Sequence, residues 1–333
     1  MGDRRERSLF HGSGRRPELA VRPGSVPRVS LTSAPVAPTR HLPVLPAAAF
    51  VLVWSSGYIA GPAAVDAAAP FSVLGWRFTL AALLGGAVAL ALRRPFRMPR
   101  GVLLRVAVVG LLMNACQFGL MYVAFDLGLG ATVSSLFHAL SPVLTMLLAA
   151  LLLHERVAAL QVVGFVLGVV GVLLVLGPDL EAAGGLPAVA LGAASMLMLS
   201  IGTLGQRWIG ASPDLLWSTT VQFAVSAPPM LLAGLLTEGA WPVTDPTAAV
   251  VSVSYLVVVY SLVGLALLAM LVLRGGSGAA SSLFFLSPPV TAVLAWLVLD
   301  EALGARELAG LVVAVVGVAA ATRSRPPGEV LTT

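Results

Sequence analysis

Leu140-Ser141-Pro142-Val143-Leu144-Thr145 and Leu286-Ser287-Pro288-Pro289-Val290-Thr291 are the two stretches that decide how this chain is built. Glu155, Gly164 and Gly171 follow the first, and Glu301, Gly310 and Gly317 follow the second. Every pair is offset by 146 residues. A composition this rich in Leu, Ala and Val yields chance apolar matches, but it does not readily yield Ser-Pro, Thr, Glu and two Gly in register. Upstream, Arg77 and Gln222 correspond at an offset of 145. The chain is a duplication.

The material around those stretches is too apolar for a soluble protein. Of 333 residues, 58% are apolar and 11% charged, and mean hydropathy is +0.95. Soluble domains are about 25% charged. A bilayer span takes ~20 mainly apolar residues, and ten such runs can be read: 43–61, 71–92, 102–124, 131–153, 161–176, 186–204, 215–236, 250–273, 279–299 and 308–321. Pro, Gly, Asp and Arg fill the breaks, as helix ends require. Residues 1–42, polar and rich in Arg and Pro, read as a disordered cytoplasmic tail, and 324–333 as a second tail. No apolar core lies early enough for a signal peptide, and Glu6 stands where a myristoylation signal needs Ser or Thr.

Each copy, 43–178 and 179–323, then holds five spans. An odd number inverts the second copy relative to the first. The expected fold is an all-α membrane protein of ten transmembrane helices in two inverted five-helix repeats. Inverted repeats are the signature of secondary transporters, which place a site between the halves and alternate its access. Arginines set the orientation. Eight lie in the N-terminal tail, and Arg93, Arg94, Arg97, Arg100, Arg156, Arg207, Arg274, Arg323 and Arg325 mark breaks or ends that share one side when both termini are cytoplasmic. Asp66, Asp126, Asp179, Glu181, Glu238, Asp245, Asp300 and Glu301 fall on the other, with Arg306 as its basic loop residue.

Several function classes drop out. All 20 basic residues are Arg, so neither a P-loop lysine nor lysine Schiff-base chemistry is available. The single Cys116 excludes an internal disulfide and a cysteine metal cluster, and its place in an apolar run reads as packing. His154-Glu155 begins a zinc-protease motif that Ala158 ends. No cofactor is indicated, the Arg distribution fits membrane orientation better than nucleic acid, and nothing specifies an oligomer. The chain does not read as an enzyme. A membrane-embedded enzyme would need paired acids or a nucleophile and base at one depth. A sensor or scaffold is the other alternative to transport.

Trp54-Ser55-Ser56-Gly57-Tyr58, Trp76-Arg77-Phe78 and the two Ser-Pro…Glu…Gly blocks, in this order and spacing, resemble the EamA family of the drug/metabolite transporter superfamily over roughly residues 43–323. The resemblance implies ten helices, a central cavity lined mainly by spans other than five and ten, and export or exchange of amino acids or related metabolites. Many members carry a Lys near the end of span one, where Pro62 stands here, so a contact made by that Lys does not carry over.

The candidate substrate-binding residues are Trp54, Ser55, Tyr58, Arg77, Asn114, Gln117, His138 and Gln222. Arg77 lies about 9 Å inside span two at 1.5 Å per residue. Two readings stay open for it: a guanidinium meeting a substrate carboxylate or phosphate, or one snorkelling to the interface towards Asp66 or Asp126. His138 is the histidine that falls within a span. It is either a proton-coupling group or a neutral ring held by a neighbouring Ser or carbonyl. The polar residues Asn114, Gln117 and Tyr122 in span three, Ser200 and Thr203 in span six, and Tyr255 and Tyr260 in span eight are cavity lining or interhelical hydrogen bonding. The small-molecule substrate and the lipid bilayer are the expected partners, with proton coupling as a further possibility. Gly164, Gly168 and Gly171 read as close packing of span five, against span ten. Glu155 and Glu301 read as helix-end structure held by nearby backbone or by Arg156 and Arg306.

Overall fold

A computed structural model describes residues 43–153, 157–178, 180–210, 214–239, 242–301 and 303–323. Both tails, His154, Glu155, Arg156, Asp179 and Arg325 lie outside the described residues. Ten helical segments follow one another. They are α1 (Val44–Ala67), α2 (Pro70–Ala91), α3 (Arg100–Asp126), α4 (Ala131–Leu153), α5 (Ala159–Leu176), α6 (Gly185–Ile209), α7 (Leu215–Glu238), α8 (Pro246–Val272), α9 (Leu283–Val298) and α10 (Ala305–Arg323). Among the described residues nine of these are long and apolar enough to cross a bilayer, and α9 is a shorter apolar helix. Among the described residues the strand content is one isolated bridge, Ala68 to Val243.

The ends of the first and eighth spans differ most from the sequence reading. Helix α1 continues through Pro62 to Ala67. Beyond the apolar span of α8 the helix does not stop at Arg274; the helical segment Gly264–Ser282 runs on through Gly275-Gly276-Ser277-Gly278. Glycine is a weak helix former rather than a stop. The break falls instead before Pro288 and Pro289, where a 3-10 turn, Leu283–Leu286, gives way to a new helix at Ser287. Proline lacks the N–H that a helix interior needs and is accepted in a first turn.

The second copy is inverted, and its contacts show it. The Cβ of an alanine at Gly164 would sit 2.4 Å from the Gly317 carbonyl oxygen, and one at Gly171 would sit 2.6 Å from that of Gly310. The reverse approaches, Gly317 to Gly164 and Gly310 to Gly171, are 2.7 Å each. Gly164 matches Gly310 and Gly171 matches Gly317 in the duplication, so the partners are exchanged, as a two-fold axis demands. Helices α5 and α10 therefore pack backbone to backbone, as the glycine spacing predicts. The serines repeat the pattern. Ser141 of α4 bonds Ser200 of α6 (Oγ to Oγ 3.0 Å), and Ser287 of α9 bonds Ser55 of α1 (3.2 Å). A π-helical stretch interrupts α3 at Leu111–Cys116 and α8 at Leu256–Val263, equivalent places in the two copies. Such bulges often mark functional sites.

Buried residues form the interior, while Leu160, Val162, Val163, Val166, Val170 and Leu173 of α5 are exposed. An apolar surface this continuous is one that lipid covers. Cys116 is exposed rather than packed inside. One end of the bundle is tied across the copies by two carboxylates. Glu238 accepts the Phe71 and Ser72 N–H groups (2.6 and 2.9 Å) and the Ser72 hydroxyl (2.7 Å). Glu301 accepts from the Ala131 and Thr132 N–H groups and the Thr132 hydroxyl. Glu301 is thus helix-end structure, but for the first turn of α4 rather than its own helix. Arg306 pairs with Glu307 (2.6 Å) instead. The α2 N-cap, Ala69, supplies no side-chain bond, so a carboxylate from the other copy fills the role that a capping Ser or Asp plays elsewhere. At the opposite end Asp214 caps α7 through the Leu216 and Trp217 N–H groups and receives Arg94 at 3.3 Å.

Candidate substrate site between the repeats

Helix α2 presents Trp76-Arg77-Phe78 so that Trp76 is 46% exposed while Arg77 is 1% and Phe78 0% exposed. Arg77 does not snorkel, and neither Asp66 nor Asp126 pairs with it. Depth along a helix axis says nothing about which way a residue faces, and this one faces inward. Its Nη1 donates to the Tyr122 hydroxyl at 3.1 Å. The guanidinium carbon lies 4.4 Å from the Phe118 ring centroid, 5.1 Å from Tyr260 and 5.6 Å from Phe78. Each aromatic face is worth ~0.5–2 kcal/mol to a cation. The Nε–H is buried and has no hydrogen-bond partner. Among the described residues no carboxylate pairs with Arg77, so a full positive charge sits in the interior on aromatic faces and one hydroxyl.

A small pocket of about 10 Å³, room for one water, adjoins Arg77. Gly57 and Tyr58 of α1, Phe118 and Tyr122 of α3 and Tyr260 of α8 line it. Both copies contribute. Tyr260 lies flat against Gly57; a Cβ there would sit 2.0 Å from the ring. Trp54 stacks beside Tyr260 (5.4 Å between centroids) and meets Phe284 edge-on (4.8 Å), so an aromatic wall continues from α8 to α9.

Tyr58 joins this pocket to a polar chain. Its hydroxyl lies 2.8 Å from His138 Nδ1. Gln117 Nε2 lies 3.0 Å from His138 Nε2, and Ser195 Oγ 3.3 Å from the same nitrogen. The Ser195 hydroxyl donates to the Gln117 carbonyl at 2.9 Å. An amide N–H can only donate, so Nε2 accepts and Nδ1–H donates to Tyr58: a neutral ring with both nitrogens used.

The eight residues singled out from sequence divide. Trp54, Tyr58, Arg77, Gln117 and His138 fall in one connected cluster. Ser55 is buried next to it but spends its hydroxyl on Ser287. Asn114 is buried in the π stretch of α3. Gln222 packs over Gly110 and is not among the residues lining the Arg77 pocket. Phe118, Tyr122, Tyr260, Ser195 and Gly57 complete the cluster. Tyr122 and Tyr260 carried a polar signal in sequence. Phe118 looked like any apolar residue, and Ser195 like any small one.

The pattern of the EamA-like transporter family matches residues 42–177 and 186–323, one match per copy. The chain belongs to that family. Similar EamA-type relatives include the uncharacterized transporter YvbV of Bacillus subtilis (strain 168), 25% identical over 80% of this chain and 87% of that one. A probable amino-acid metabolite efflux pump of Salmonella typhimurium is 26% identical over 80% and 90%. An S-adenosylmethionine/S-adenosylhomocysteine transporter of Chlamydia muridarum is 27% identical over 78% and 87%. A crystal structure 21% identical in sequence matches with a TM-score of 0.58 over 84% of this chain and 95% of that one, which supports the fold. This EamA chain is a multi-pass membrane protein.

Proposed function

We propose that this EamA protein is a secondary transporter that exports small metabolites, such as amino acids or related compounds, by alternating access. The observation that carries the proposal is Arg77: a buried cation, unpaired by acid, at a pocket walled by both repeats. Burying a charge costs several kcal/mol, and an insertion scale puts a central Arg at ~2.5–3.5 kcal/mol. Structural packing gains nothing from that cost, whereas recognition of a substrate anion does. The relatives named for amino-acid metabolite efflux and for S-adenosylmethionine/S-adenosylhomocysteine transport support a small-molecule cargo of varied chemistry.

In this reading the small pocket, with room for about one water, belongs to an occluded form. The ends carrying Glu238 with Glu301 and Asp214 with Arg94 are the outer and cytoplasmic sides, and both termini are cytoplasmic in a bacterial plasma membrane. His138 is the proton-coupling group. The titratable group facing it is Tyr58; Gln117 and Ser195 are its other, uncharged partners. A metabolite screen tests the function. Cells overexpressing the protein should accumulate one class of compound in the medium, and the Arg77→Ala variant should not. A medium unchanged across a broad screen, with the protein folded in the membrane, sinks the proposal.

A further inference from the structure

We infer that the Arg77 pocket selects a monocarboxylate and has no subsite for an ammonium group; this rests on the transporter reading and narrows its cargo to the carboxylates related to amino acids, excluding amino acids themselves. The charge balance comes first. Arg77 brings one positive charge, and no Asp or Glu lines the pocket. A ligand carboxylate cancels that charge. An ammonium group a few ångströms away meets the guanidinium as a like charge and finds no acid to answer it.

The donor set agrees. Tyr122 holds Nη1, which leaves the Nε edge facing outward from that bond, its Nε–H buried and unpartnered. That edge is the side on which a guanidinium takes a carboxylate in a forked pair. A buried unsatisfied donor is costly, and a carboxylate oxygen removes the cost along with the charge. Only one cation is present, so a dianionic phosphate would leave a charge uncompensated. The remaining walls, Phe118, Phe125, Met121 and the Tyr58 and Tyr260 rings, suit an apolar or ring-shaped body.

The pocket has room for about one water as it stands, and on this inference Tyr260 is the wall that moves to admit a ligand. The ring covers the guanidinium at 5.1 Å and rests on the bare backbone of Gly57. It is carried by the π-helical stretch of α8. Entry of the ligand exchanges one electron-rich partner of Arg77, the Tyr260 face, for a better one, the carboxylate.

Four probes that share a phenyl ring separate these terms: 3-phenylpropionate, phenylalanine, phenethylamine and phenyl phosphate. Each is titrated against the full-length protein in nanodiscs by calorimetry. 3-Phenylpropionate should bind at least ten times more tightly than phenylalanine or phenyl phosphate, and phenethylamine should give no heat. Arg77→Lys should weaken 3-phenylpropionate at least tenfold, since an ammonium keeps the charge and loses the fork. Should Arg77 variants fail to fold, the four wild-type titrations still decide the matter. Phenylalanine binding as well as 3-phenylpropionate, any binding of phenethylamine, tighter binding of phenyl phosphate, or no binding of any probe overturns the inference. Its failure stays distinct from that of the transporter reading. Export of an amine or a zwitterion in the metabolite screen removes the carboxylate rule and leaves transport intact. Tight 3-phenylpropionate binding without flux in proteoliposomes does the reverse.

Discussion

Helices α4 and α9 began as the same sequence and became different objects. The chain reads Ser-Ser-Leu-Phe before Leu-Ser-Pro in α4 and again at the start of α9, at 134–137 and 281–284, the second Ser-Ser ending the preceding helix; the first has His138-Ala139 between the two pieces and the second has Phe285 alone. The longer copy is one unbroken α-helix around Pro142. The shorter takes a 3-10 turn and restarts at Ser287. A 3-10 turn needs 3.0 residues rather than 3.6, which suits a segment one residue short. What survived in both copies is packing: the Ser-Pro serine bonded to a serine of the opposite copy's first helix, and the exchanged glycine contacts. What diverged is the interior. His138 has an aromatic in its place in α9, and Arg77 has Gln222 in α7. The scaffold is symmetric and the pocket is not: the first copy supplies the cation and the histidine, the second the Tyr260 and Phe284 rings.

The sharpest way to break this contrast is at Arg77 and Gln222. Arg77→Ala removes a charge-assisted interaction worth ~1.5–3 kcal/mol, so flux of a carboxylate substrate in proteoliposomes should fall about 10- to 100-fold. Gln222→Ala, at the equivalent position on the other side of the axis, should keep flux within about twofold, since Gln222 lies outside the Arg77 pocket and packs over Gly110. Wild-type rates in both would take Arg77 out of the site, and equal losses would make the pocket symmetric after all.

His138 comes next. Its ring is neutral with both nitrogens bonded, and a second proton goes onto Nε2, where the Gln117 amide must turn its oxygen, or the Ser195 hydroxyl its lone pair, to receive the new N–H. If that exchange is coupled to transport, His138→Gln leaves a group that cannot titrate, and the pH dependence of flux in proteoliposomes flattens. A pH profile identical to wild type would make His138 a packing residue, the role its aromatic counterpart plays in α9.

Glycine substitution probes the scaffold. Gly164→Ala and Gly310→Ala are related by the duplication and each places a Cβ against a backbone carbonyl across the α5–α10 contact. Backbone cannot step aside as a side-chain tip can, so each should cost ~1–3 kcal/mol, read as matching drops in thermal unfolding midpoint in detergent. A large drop in one and none in the other would show that the axis relating the copies is not a packing symmetry.

Much of this was legible in the chain, for definite reasons. Ten spans show because lipid forbids polar breaks inside them, and inversion shows because five is odd. The α5–α10 contact shows because only glycine permits it. The π stretches at Leu111–Cys116 and Leu256–Val263 do not show, since an extra residue per turn leaves no trace in a run that is apolar on every side. Nor does the helix through Gly275-Gly276-Ser277-Gly278, where composition suggested a loop. Arg77 and His138 stand out as ionisable groups among apolar neighbours. Their surroundings do not: Phe118 is indistinguishable from lipid-facing phenylalanines, and an offset that pairs Arg77 with Gln222 fixes position along a helix but not what the partner helix brings to meet it.

The smallest expected effect tests the symmetry most finely. Ser200 donates to the Ser141 carbonyl at 3.2 Å, and Ser55 donates to the Ser287 carbonyl at 3.3 Å. Both hydroxyls are buried, and both serve the residue before a repeat proline. Interhelical hydrogen bonds in membrane proteins average ~0.6 kcal/mol, so Ser200→Ala and Ser55→Ala should each lower stability by about that much. The two sites share no partner, and the double variant should lose the sum, within the few tenths of a kcal/mol that separate sites usually show. Ser55 differs in one respect: it neighbours Trp54 in sequence, on the helix that also carries Tyr58 into the pocket. A Ser55→Ala change that alters flux while Ser200→Ala alters stability alone would mark where the symmetric scaffold hands over to the asymmetric site. Equal effects on both measurements would mean that the handover lies deeper, at Tyr58.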